Sequence, residues 1–177
     1  LEEVREDGVS LLVTVSVGPK GRQFGTDPQS VKQTFYGGLA SEKATITSLG
    51  AAVVTIQGCR IPCKIEQVEV SSQTGKTTTK IYYSDSVEPY VLRRESVRMD
   101  PDGETVLSET TVEVVALRVP CRIIPGLSRS THVKATHKHA GGTTERVSWV
   151  STAVPGGIIR QYSKELDENE HLVRRVT

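Results

Sequence analysis

The chain is poor in the residues that most often announce a function. Among 177 residues there are one Trp, one Met, two Phe and three Cys. So few cysteines rule out a dense disulfide scaffold, and a chain of this length buries enough surface, roughly 70%, to need no staple. Charge is balanced: 22 Lys and Arg against 21 Asp and Glu leave a formal net charge of +1. Nothing in that balance steers the chain toward nucleic acid or an anionic membrane. Arg93-Arg94 and Arg174-Arg175 are too short to form a basic tract. No apolar run approaches the roughly 20 residues that cross a bilayer. The longest candidate, Val9 to Val17, is broken by Ser10, Thr14 and Ser16 and reads as a strand. Gly-x-Ser-x-Gly, His-Glu-x-x-His and glycine-rich phosphate loops are all missing, so the residues nominate no enzyme and no cofactor. The chain starts at Leu1, which fits the removal of a leader or lipid-anchor segment.

What is present is β-structure. Val, Ile, Thr and Tyr are frequent, and apolar stripes at helical spacing are scarce. Turn clusters recur at Ser71–Gly75, Asp100–Gly103, His139–Gly142 and Asp167–Asn169. Each separates alternating or β-rich runs, which predicts an antiparallel meander. One exception is expected near the start. Asp27 is placed to cap a helix and Pro28 to begin it, with Gly37 to close it, so a short helix is predicted over Thr26–Gly37. Gly18–Gly21 reads as a turn.

The chain also repeats itself. Val54-Thr-Ile-Gln-Gly-Cys-Arg-Ile-Pro-Cys-Lys-Ile65 matches Val112-Glu-Val-Val-Ala-Leu-Arg-Val-Pro-Cys-Arg-Ile123. Tyr83-Ser-Asp-Ser-Val-Glu-Pro89 is answered by Trp149-Val-Ser-Thr-Ala-Val-Pro155. This pairing sets Cys63 over Cys121, Pro89 over Pro155 and Arg94 over Arg160. A unit of roughly sixty residues suits half of one β domain better than a solenoid repeat. The expected division of the single domain 1–177 is an N-terminal segment 1–50 and pseudo-repeats 51–108 and 109–177.

Strand alternation puts Cys59, Ile61, Cys63 and Ile65 on one face, with Arg60, Pro62 and Lys64 on the other. Val54 and Ile56 have the opposite parity, so a bulge or bend is expected at Gly58, and equally at Ala116. Pro62 and Pro120 lack a donor and mark an edge or an interrupted ladder. The cysteines read first as small buried residues, next as a disulfide between Cys63 and Cys121, and last as reactive or metal-binding thiols. His137 and His139 share a strand face beside Gly141-Gly142. Two ligands do not close a zinc site, so an exposed hairpin tip is expected and no metal. Asp100–Glu104 is too short for a calcium loop.

Pro120-Cys-Arg122 followed by Trp149-Val-Ser-Thr-Ala-Val-Pro-Gly-Gly-Ile-Ile-Arg160 resembles a pattern of bacterial exported β domains. Their architecture is similar to the LolA/LolB-like lipoprotein carriers. The resemblance covers roughly residues 50–177 and implies a strongly curved antiparallel sheet, an incomplete barrel around an apolar hollow. It also implies a periplasmic or secreted protein whose partner is a lipid or lipoprotein. The resulting expectation is an all-β, non-enzymatic binding protein for a lipid or other apolar ligand. The alternative is a structural or protein-interaction module of the cell envelope. Tyr83, Tyr90 and Trp149 are the candidate ligand-binding residues, read as an aromatic clamp; their other reading is as core or rim aromatics.

Overall fold

A computed structural model describes residues 3–4, 8–13, 16–17, 24–25, 29–34, 43–72, 75–123, 126–154 and 157–176. Every regular element among them is a strand. Backbone contacts divide the chain into two units, Leu1–Ala44 and Thr45–Thr177.

In the first unit, β1 (Glu3–Val4), β2 (Gly8–Val13) and β5 (Gln29–Thr34) form a sheet of order β1-β2-β5, and β3 (Ser16–Val17) pairs with β4 (Phe24–Gly25). The strand expected over Val9–Val17 is therefore divided between two partners. The core of the expected helix, Gln29–Thr34, is a strand instead, in register with Gly8–Val13. The rest of that span lies outside the described residues, as does the whole of the Gly18–Gly21 turn. The physical reason is visible in the sequence. The segment has no apolar stripe for a helix to bury, whereas a six-residue ladder satisfies its backbone donors and acceptors.

The second unit carries a nine-stranded sheet. Its strands are β6 (Lys43–Ile56), β7 (Cys59–Ser72), β8 (Gly75–Tyr83), β9 (Val91–Met99), β10 (Val106–Ile123), β11 (Gly126–His139), β12 (Gly142–Val150), β13 (Ile158–Leu166) and β14 (Leu172–Val176). They lie side by side in chain order, each antiparallel neighbour following the last. The four turn clusters read from the sequence fall between β7 and β8, β9 and β10, β11 and β12, and β13 and β14.

The segment Val54–Ile65 is not one bent strand. Gln57 and Gly58, with φ of 50° and 80°, turn the chain back between β6 and β7. Two consecutive residues of positive φ match the right-handed twist of the flanking strands, which makes this a tight hairpin. At the matching place in β10 a bulge does occur. The ladder to β11 shifts register between Val114 and Val119, and Arg118 has φ 55°. Pro62 and Pro120 both lie where a neighbour is missing. The β7–β8 ladder begins at Lys64, and the β9–β10 ladder ends at the pair Arg93–Glu113.

Strand lengths recur with a spacing of 67 residues: β7, β8 and β9 begin at 59, 75 and 91, and β11, β12 and β13 at 126, 142 and 158. The loops recur with them. Ser84 N–H donates to Tyr90 O and Ser151 N–H to Gly157 O, both at 2.8 Å. Asp100 Oδ1 accepts from Glu104 N–H at 3.0 Å, and Asp167 Oδ1 from His171 N–H at 2.8 Å. Gly75 and Gly142 open β8 and β12 with φ of 141° and 130°; a side chain there would overlap the carbonyl oxygen of Met99 or Leu166. This spacing differs from the sequence pairing of Cys63 with Cys121. Strand for strand, the counterpart of Cys63 in β7 is Ser130 in β11. Both are buried, and each donates to a backbone carbonyl, Cys63 to Ile61 at 3.4 Å and Ser130 to Val119 at 3.0 Å.

The core of this unit is small. Ile56, Ile61, Cys63, Leu92 and Val114 form its buried cluster, with Val54, Val87, Leu117 and Val133 packed against them. The cluster joins the β6–β7 hairpin to β9 and β10, and the amide of Leu117 donates to Gln57 Oε1 at 3.1 Å. In a flat sheet β7 and β10 would stand three strand spacings apart, about 14 Å. The sheet therefore curls at this end. It does not close, because β6 and β14 each have a neighbour on one side only.

Candidate functional site

The curl leaves an open cleft of about 830 Å³ at the end of the sheet where the β8–β9 and β12–β13 loops emerge. Its walls are residues 85–90, Leu117 and Arg118 of the bulge, 127–131 at the start of β11, and 150–153 with Gly157. The two loops with recurring hydrogen bonds thus flank one opening. Polar backbone groups within them are paired internally, which fixes the loop shape without help from the cleft.

The lining mixes apolar and polar chemistry. Val87, Tyr90, Leu117, Leu127 and Val150 contribute apolar surface, and Leu127 is 84% exposed. Hydroxyls come from Ser86, Ser128, Ser130, Thr131, Ser151 and Thr152, with Ser128 and Ser151 3.4 Å apart across the β11–β12 boundary. Four charged residues also face it: Asp85, Glu88, Arg118 and Arg129.

Of the three candidate aromatics, the fold brings one to this cleft. Tyr90 lines it, half exposed, at φ 62°. Tyr83 lies at the end of β8, opposite Lys64. Its hydroxyl donates to Glu66 Oε1 at 3.2 Å, and burial together with that carboxylate raises its pKa above the usual phenol value. Trp149 precedes the cleft-lining Val150 but packs elsewhere, edge-on to His132 at 4.8 Å and to Tyr162 at 5.4 Å between ring centres. The Arg160 guanidinium lies 4.6 Å from the Tyr162 ring centre. His132 Nε2 is buried without a hydrogen-bond partner, and burial lowers the pKa of the ring. An aromatic clamp of Tyr83, Tyr90 and Trp149 is not assembled; the three residues occupy separate surroundings.

The cysteines are free thiols. Cys63 is buried, Cys121 half-buried and Cys59 exposed. Cys63 and Cys121 are not bridged. Exposure of Cys59 departs from the reading of all three as buried residues, because the β6–β7 turn places it at the hairpin tip. His137 Nδ1 is 2.8 Å from Thr110 Oγ1, and His139 Nδ1 accepts the Gly141 amide at 3.1 Å. Among the described residues no group of three metal-ligating side chains comes together.

Sequence reading missed Arg129 and Leu127, and it treated Arg118 as part of the shared motif. Arg118 and Arg129 are eleven positions apart, and only the β10–β11 ladder joins their neighbourhoods, through Val119 with Ser130 and Pro120 with Arg129. The available signal was the segment Ile124-Pro-Gly-Leu-Ser128, which has no counterpart after Ile65 in the sequence pairing. Comparison with models of known families, with curated proteins and with solved structures finds no match.

Proposed function

We propose that the chain is a non-enzymatic binding protein for a lipid or other apolar molecule, acting outside the cytoplasm. The observation that carries this reading is the open cleft of about 830 Å³ with Leu117, Leu127 and Tyr90 on its walls. A leucine as exposed as Leu127 pays for its hydration unless something covers it; fully burying such a side chain is worth about 1.5–3 kcal/mol. The volume lies within the range of small-molecule sites. In this reading the curled sheet is an incomplete barrel, and the recurrence at 67 residues reflects an internal duplication. The two equivalent loops then serve as the two lips of one opening. An extracytoplasmic location belongs to the same proposal and is checked by fractionating cells that produce the full-length gene product.

Native mass spectrometry of gently purified protein, with extraction and identification of whatever is carried, tests the reading. A co-purifying apolar molecule that Leu127→Ser releases supports it. Protein that arrives empty and takes up no single-chain amphiphile when offered one overturns it.

A second reading, a protein-interaction module of the envelope, draws support from the sheet edges. On β6, Ile46, Leu49 and Val53 are each nearly half exposed, and on β14 Leu172 and Val173 are 60% and 67% exposed. An open edge offers unpaired backbone groups to another strand. Pull-down from an envelope extract with the wild type and with a β14 proline variant, Val173→Pro, separates the two readings. Capture abolished by that change, with no carried small molecule, favours the interaction module.

A further inference from the structure

We propose that the cleft takes an anionic amphiphile, holding its headgroup with Arg118 and Arg129 while its chain lies along Leu117 and Leu127. This deepens the binding reading and rests on it. The charge bookkeeping within the cleft points to an anion. Asp85 is neutralised by Lys64, whose Nζ lies 2.7 Å from its Oδ2, and Glu88, which accepts the Tyr90 hydroxyl at 3.5 Å, is then the one remaining carboxylate of the lining against the two guanidiniums of Arg118 and Arg129. The side chains of Arg118 and Arg129 enter no hydrogen bond or ion pair with the described residues. Two exposed guanidiniums at one opening repel each other, and an anion between them relieves this. A guanidinium also presents planar, paired donors that suit a phosphate or carboxylate, and the neighbouring serine and threonine hydroxyls complete such a headgroup site.

The backbone supplies an independent observation. Arg118 holds φ 55° within the bulge of β10, a conformation that a non-glycine side chain adopts at a cost. A bulge re-aims the residue it carries, and here that residue lines the cleft. The recurring architecture does not require these cations. Sixty-seven positions earlier stand Ala51 and Pro62, so the same strand framework is built there without either charge.

The test is equilibrium binding to the intact chain, below the micelle concentration, of dodecyl phosphate, dodecyl maltoside and inorganic phosphate. Arg118→Gln with Arg129→Gln is the variant for the headgroup, and Leu127→Ser the variant for the chain. The expected result is dodecyl phosphate bound at least about tenfold more tightly than dodecyl maltoside, with the double variant erasing the difference and Leu127→Ser weakening both. Equal binding of the two amphiphiles overturns the headgroup assignment and leaves the apolar cleft standing. Binding of neither overturns the cleft reading together with this proposal. Inorganic phosphate bound as tightly as dodecyl phosphate overturns the amphiphile and assigns the arginines to a free anion. Circular dichroism of both variants, expected to match the wild type because these side chains are exposed, separates a lost site from a lost fold.

Discussion

Gln57 and Leu117 are sixty residues apart in the chain and joined by a hydrogen bond of 3.1 Å from the Leu117 amide to the Gln57 side-chain oxygen. Three strands, β7 to β9, and the first part of β10 separate the hairpin tip from its partner along the chain, so this contact reports directly on the curl. It also gives a backbone donor beside the β10 bulge an acceptor that its own ladder does not supply. Gln57→Ala is expected to lower stability by about 1 kcal/mol, the net worth of one such bond. Hydrogen exchange provides the local check: protection of the Leu117 amide falls in the variant, while that of the distant Lys164 amide does not.

Leu92 is 1% exposed at the centre of the core cluster. Leu92→Ala is expected to cost about 2–5 kcal/mol in urea unfolding, through lost transfer energy and the cavity left behind. Leu127→Ala, on a side chain already in water, should change stability by less than about 0.5 kcal/mol while weakening ligand uptake. A stability loss of similar size in both variants would mean that Leu127 is packed in solution.

His132 gives a pH dependence with a definite sign. Burial beside Trp149 disfavours the charged ring, so its folded pKa lies below the unfolded value of about 6.5. Between those two values the unfolded chain binds more protons than the folded one. Stability from this residue is therefore complete above about pH 6.5 and is lost as pH falls through that value toward the folded pKa. NMR titration of the ring should give a midpoint below about 6.5, and His132→Gln should flatten the pH dependence of unfolding in that window. Trp149 is the only tryptophan, so its fluorescence follows the same event. A midpoint at or above the ordinary value rules this account out.

Thiol titration should count three free cysteines after unfolding, with or without prior reduction. In the native protein Cys59 is expected to react first, since it is exposed. Cys63 should react only on unfolding: burial pushes its thiol up, outweighing the hydrogen bond with Val54, and so suppresses the thiolate. A native protein with all three thiols equally fast contradicts the packing of the hairpin onto β9.

Much of the second unit was legible because its turns are chemically explicit. Asp100 and Asp167 each accept the backbone amide four residues on, which is what an aspartate at such a turn is expected to do. The Gln57–Gly58 turn was not legible. Gln is an uncommon residue at positive φ, so Gly58 alone read as a bend within a continuous strand. That one turn also explains why the pairing of Cys63 with Cys121 and the recurrence of strand starts differ in spacing. Local similarity around Pro-Cys paired a strand that follows a hairpin with a strand that runs through a bulge, and only the loops revealed the spacing of 67 residues. The cleft was less legible still. Arg118 read only as part of the shared motif and Arg129 as part of none, and both line one cleft because a ladder with a register shift sets their strands side by side. Tyr83 and Trp149 drew notice as large aromatics, but strand alternation and local partners turned both away from the opening.

Gly75 and Gly142 carry a consequence beyond this one molecule. Any side chain at either position would strike the carbonyl of the residue that precedes Asp100 or Asp167. Glycine and aspartate are thus tied together across a hairpin pair, from 75 to 100 and from 142 to 167, the same distance of 25 residues each time. Steric exclusion selects the glycine and turn chemistry the aspartate, while two nine-residue strands and the loop between them set the distance. Sequences too diverged to align could still be recognised as builders of this sheet by a glycine, 25 positions, and an aspartate, written twice.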